Sequence, residues 1–190
     1  QMGDSLPFVN LGSGRTVKEV SAGAYHTCAI LDNDLVKCWG RNNGGQLGYG
    51  NTTTRGNNNT TGAMGNSLGT VDLGTGKTAK KIALGTDFSC AILNDDTIKC
   101  WGVATGGPLG KGSNTAHLGD GAGEMGDSLT AISVGAGRTV SRMAVGAQHV
   151  CVILDDATVK CWGNGGSGRL GYDNTTSLGD NAGELPTATV

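Results

Sequence analysis

Apolar residues in this chain occur in short β-branched runs set between clusters of Gly, Asn, Asp, Thr and Ser. Residues 27–31 and 35–39 alternate apolar and polar on either side of Asp32-Asn33-Asp34. That pattern predicts a β-hairpin, because Asp and Asn tolerate the dihedrals of a tight turn. The segment 21–40 recurs as 83–102 and 144–163, each copy ending in Cys-Trp-Gly, with successive spacings of 62 and 61 residues. A further strand is predicted ahead of each hairpin, at 16–20, 79–84 and 140–145. Another follows a recurring Met-Gly-Asn/Asp-Ser-Leu motif, at 70–73 and 130–134.

Four short strands repeated in tandem predict an all-β fold of propeller blades. The repeats run approximately 2–63, 64–124 and 125–184, with 185–190 as the first strand of a further blade, all within one domain 1–190. Propellers usually close with about four to eight blades. Three four-stranded repeats plus a terminal strand therefore predict a partial propeller, or one completed by other segments or another chain.

The repeats resemble the regulator of chromosome condensation repeat family. Gly23-Ala24-Tyr25-His26-Thr27, Trp39-Gly40 and Gly45-Gln46-Leu47-Gly48 carry the resemblance. The other copies depart at single positions: Phe88 stands for the His, and Pro108 and Arg169 stand for the Gln. The resemblance implies a β-propeller, here with unusually long Gly/Asn/Thr loops.

Composition supports this reading. Glycine fills 35 of 190 positions. Each helix-interior glycine costs about 1 kcal/mol relative to alanine, so a helical bundle is excluded. With 14 basic residues scattered against 16 acidic ones, no positive face for nucleic acid is expected. No run is apolar and long enough for direct membrane insertion.

The cysteines form three pairs, Cys28 with Cys38, Cys90 with Cys100, and Cys151 with Cys161, each symmetric about its turn centre. A three-residue turn would set each pair directly opposite across the ladder, close enough to bridge. Three intrablade disulfides are expected, with facing buried thiols as the alternative. Disulfides would imply a secreted, cell-surface or lumenal setting. No metal site is expected, because the cysteine spacing is not that of a zinc knuckle and Phe88 removes one histidine. His26 and His149 read as blade-packing residues that donate to backbone near the hairpin base. Trp39, Trp101 and Trp162 read as packing residues at equivalent positions. Asn51, Asn58, Asn59 and Asn174 begin glycosylation acceptor triplets in the long loops. Acidic Gly-rich turns such as 119–127 read as turns whose Asp caps its own backbone rather than as calcium loops.

No nucleophile–base arrangement stands out, so no enzyme and no cofactor are expected. The sequence predicts an extracytoplasmic interaction or structural module, with a protein or other copies of the chain as partner and a glycan as a further ligand. A protomer of a larger assembly or filament is the alternative. Guanine nucleotide exchange on a small GTPase is a more remote one, resting only on the family resemblance.

Overall fold

A computed structural model describes residues 3–57 and 64–185. Among the described residues nine strands form three separate antiparallel sheets, each of three strands in sequence order. The first contains β1 (Val17–Ala22), β2 (His26–Leu31) and β3 (Val36–Gly40). The second contains β4 (Ala79–Leu84), β5 (Phe88–Leu93) and β6 (Ile98–Gly102). The third contains β7 (Val140–Val145), β8 (His149–Leu154) and β9 (Val159–Gly163). These are propeller blades, and equivalent residues pair identically in all three.

The hairpin turn sets that register. Asp34 N–H donates to the Leu31 carbonyl at 3.0 Å, and Leu31 N–H to the Leu35 carbonyl at 2.9 Å. Asp34 closes the turn in the left-handed region at φ 63°, a conformation short polar side chains tolerate. With three residues in the turn, Cys28 falls opposite Cys38, Cys90 opposite Cys100 and Cys151 opposite Cys161. Each facing pair is joined as a disulfide, with Cα atoms 4.1 Å apart.

The expected fourth strand takes a different form. Residues 70–73 and 130–134 join no sheet. Val71 N–H donates once to the Val36 carbonyl, and Ile132 N–H once to the Ile98 carbonyl, both at 2.8 Å. The side chains explain why the contact stops there. Val71 and Leu73 are buried in the seam between the first and second blades, so packing rather than a ladder fixes the segment. Lysines on the third strands hold it from the next blade: Lys99 Nζ donates to the Leu73 carbonyl at 2.8 Å and to that of Gly126 at 3.0 Å. Residues 7–11 likewise form no strand, and 186–190 lie outside the described residues.

The core is therefore interfacial. One cluster joins Cys28, Ile30, Val36, Cys38 and Leu47 to Ile82, Leu84, Leu93 and Trp101 across the first seam. A second joins Cys90, Ile92, Ile98, Cys100 and Leu109 to Val152, Leu154 and Trp162 across the second. The disulfides of the first two blades are sealed inside these seams, whereas Cys151 and Cys161 are half-buried. On the opposite side of the first blade, Trp39 and Met64 pack over Leu11, Ala29 and Leu31. Among the described residues no helix is long and apolar enough to cross a membrane.

Candidate functional site

The seams converge on one rim, where the Gly-Gln-Leu-Gly segment of one blade receives the next. The Gln46 carbonyl accepts from Trp101 Nε1 at 3.1 Å and from Ser89 Oγ at 2.8 Å. Trp162 Nε1 repeats the bond to the Pro108 carbonyl at 3.0 Å. A buried indole N–H needs such a partner, so the tryptophans at Trp101 and Trp162 staple neighbouring blades. Trp39 is only half-buried and packs on Leu31 and Met64 instead.

His26 Nε2 lies 2.9 Å from Ser89 Oγ in the next blade. The expectation of backbone donation at its own hairpin is thus corrected. The hydroxyl gives its proton to Gln46, so it must accept from Nε2–H, and Nδ1 is left without a partner. Burial lowers the His26 pKa to about 4 and keeps the ring neutral. Phe88, at the matching position, fills its site with carbon and is buried. His149 is half-buried, and burial followed by nearby Arg169 lowers its pKa.

At the rim, Gln46 Nε2 donates to Asp87 at 3.0 Å, and Arg41 lies 3.8 Å from the same carboxylate and 5.0 Å from the Tyr25 ring centre. Tyr25 is exposed. The long loops are organised rather than loose. Buried Asn42 donates to the Asn51 and Thr53 carbonyls and accepts from Leu47 N–H. The Tyr49 hydroxyl accepts from Cys38 N–H at 2.9 Å and donates to the Cys38 carbonyl at 3.0 Å, tying the loop to the free edge of β3. Burial pushes its pKa up to about 12. Tyr172 makes the same pair with Cys161. Lys111 takes the equivalent place in the middle blade and bonds Thr130 and Ala131 instead; burial lowers its pKa to about 8.

Asn51 and Asn174 sit in matching turns. Each side-chain amide donates to a tyrosine carbonyl two residues back, and each carbonyl oxygen accepts from the threonine amide two residues on. Asn174 is exposed and Asn51 half-buried. Asn58 and Asn59 lie outside the described residues. In the acidic Gly-rich turns the capping acid is the Glu, not the expected Asp. Glu124 accepts from Gly119 and Gly121 N–H, and Glu184 from Gly179, Asp180 and Asn181 N–H. Among the described residues no three His, Cys, Asp or Glu gather as metal ligands.

On the first strands, a carboxylate crosses the first seam. Glu19 of β1 accepts from Lys81 Nζ at 2.9 Å and from Ile82 N–H at 3.2 Å on β4. At the hairpin tips the pairs Arg15–Asp32, Lys18–Asp34, Lys80–Asp96 and Lys77–Asp95 repeat around the arc. Burial raises the Asp95 pKa, but bonds from Lys77 and Thr97 outweigh it and bring the carboxyl to about 2.

The regulator of chromosome condensation (RCC1) repeat matches at residues 17–46, 79–104 and 140–169, one match per blade. The ultraviolet-B receptor UVR8 of Arabidopsis thaliana is 28% identical over 85% of this chain and 32% of its own length. The human E3 ubiquitin-protein ligase HERC2 is 27% identical over 86% of this chain and 3% of its own. The chain thus spans about a third or less of these relatives. Among solved structures, human WBSCR16 superposes with a TM-score of 0.65 at 18% identity, over 88% of this chain and 40% of its own. Yeast RCC1 (Prp20) bound to Kap60 gives 0.64 at 17% identity, over 91% and 38%. Three repeat matches in register with three equivalent blades make this chain a member of the regulator of chromosome condensation repeat family.

Proposed function

We propose that the chain is a non-enzymatic protein-interaction or structural module working outside the reducing cytosol. The observation that carries this reading is the use of its cysteines. All six are paired, each pair spans a single hairpin, and among the described residues no cysteine is free. Such bonds persist in oxidising compartments. They leave rigid blades whose ordered polar loops form a recognition rim. Yeast RCC1, of the same fold, is described in complex with Kap60 and for its binding to Gsp1p and histones, which supports a protein as the partner. Asn174 offers a glycan acceptor on the same loops.

The test is alkylation of the native protein, taken unreduced from its source cells, followed by intact-mass measurement. No alkylated cysteine is expected before reduction and six after it; six labelled thiols beforehand overturn the extracytoplasmic reading. Cross-linking from the same compartment, with the 41–57 loop exchanged for a short turn as control, tests the rim.

A second reading, as a protomer of a larger assembly, is favoured by the outer face of the third blade. There Val159 is 59% exposed, while its equivalents Val36 and Ile98 are fully buried. Light scattering checks it, and a concentration-independent monomer would exclude it. Guanine nucleotide exchange rests on the fold likeness alone, with no residue of the rim pointing to it.

A further inference from the structure

On their inner edge the two seams share a layout but differ in the charges they bring together. The residue after the irregularity in each first strand is Glu19 in β1, Lys81 in β4 and Arg142 in β7. Across the first seam, the Glu19 carboxylate is held by an ammonium and a strand-edge amide, Lys81 Nζ and Ile82 N–H. Across the second seam, the receiving groups are the Arg142 guanidinium and Met143 N–H. The position that supplied the carboxylate is now Lys81.

Met143 N–H is turned outward by the ladder itself. Cys161 directs its N–H and carbonyl to the Tyr172 hydroxyl, so the facing Cys151 directs its own toward Ala144 on β7. Backbone groups alternate along an antiparallel strand, so those of Met143, one residue earlier, point away from β8. Arg142 is exposed, and its side chain makes no hydrogen bond or ion pair among the described residues. A cavity of about 340 Å³ lies here, lined by Glu19, Lys81, Arg142 and Met143 among others. Glu19 neutralises one of the two cations and leaves a net positive charge.

We infer that the inner edge of the seam between the second and third blades is a receptor for a carboxylate, supplied by an acidic side chain of a partner peptide. The first seam is its template, because the same arrangement of cation and amide there already holds a glutamate. Guanidinium pairs with carboxylate through two parallel hydrogen bonds, and the strand-edge amide adds a third donor. The site gives a location and a chemistry to the interaction-module reading, on which it rests.

The test is fluorescence anisotropy with a labelled hexaglutamate peptide at low ionic strength, beside hexaglutamine and acetate. Hexaglutamate is expected to bind in a salt-sensitive manner. Hexaglutamine should not bind, and equimolar acetate should not compete. Arg142→Ala is expected to weaken binding about tenfold or more, with Arg142→Lys restoring part of it. Lys81→Glu is expected to abolish binding, because the new carboxylate closes the seam as Glu19 closes the first. Circular dichroism confirms that each variant is folded. Equal binding by Arg142→Ala, binding of hexaglutamine, competition by acetate, or no binding to folded wild type would overturn the inference. Partner capture at the rim is measured separately, so an unresponsive seam beside an intact rim contact overturns this inference and leaves the module reading standing.

Discussion

His26 shows how one side chain can couple a seam to pH. Its pKa in the fold is about 4, below the ordinary 6.5, because burial disfavours the charged ring. As pH falls below 6.5, the unfolded chain takes up a proton that the folded chain refuses. The stability present above that value is therefore lost progressively as pH falls toward 4. At pH 5 the loss is on the order of 2 kcal/mol. Melting temperatures at pH 7.5 and pH 5 check it, and His26→Phe, which copies Phe88, should flatten the response over this window. Carboxylates such as Asp95, with a pKa of about 2, act only at lower pH. The sequence reveals His26 as a repeated packing residue, but not its partner. Ser89 lies 63 positions away, and the serine is not repeated: Thr27 and Val150 hold its place.

At the level of the hairpin, the sequence was nearly transparent. Three-residue turns, alternating strands and cysteines symmetric about the turn centre lead directly to the observed pairing. The segments 70–73 and 130–134 were less legible. A β-branched, partly alternating run reads the same whether its backbone joins a ladder or its side chains merely wedge into a seam. Only the packing of Val71 and Leu73 between two blades decides it. The disulfides also differ by element. Cys28–Cys38 and Cys90–Cys100 are fully buried, whereas Cys151–Cys161 lines open cavities. In this 190-residue chain, mild reductant is expected to open Cys151–Cys161 first, with the other two following only on unfolding. Timed alkylation with peptide mapping reads the order. Replacing both Cys90 and Cys100 by alanine should cost about 2–4 kcal/mol, measured by urea denaturation.

Across the whole molecule, stability resides in the seams. Among the described residues no sheet has a core of its own: the apolar clusters form where one sheet meets the next or a wedged segment, and the outer face of the third sheet stays open. Trp101 and Trp39 hold equivalent positions, yet Trp101 is fully buried and bonded across a seam while Trp39 is half-buried. Trp101→Ala is expected to destabilise by about 3–5 kcal/mol and to unfold two blades together. Trp39→Ala should cost markedly less. Chemical denaturation followed by hydrogen exchange separates the two. The repeat made the blades visible in the sequence, but not the differences between seams. Glu19, Lys81 and Arg142 are unremarkable surface charges until the strand order sets them in series. The carboxylate that closes one seam and is missing from the next emerges only then.

The cross-strand disulfides also bear on how the chain would yield to tension. Each bond joins residues 10 positions apart, so pulling on the ends cannot pay out the hairpin between them. Roughly 30 Å of contour per blade stays locked at an extended reach of about 3.4 Å per residue. Blades peeled from the arc would lengthen only through their first strands and rim loops. Each would keep an intact hairpin as a seed from which the seam could re-form when the load is released.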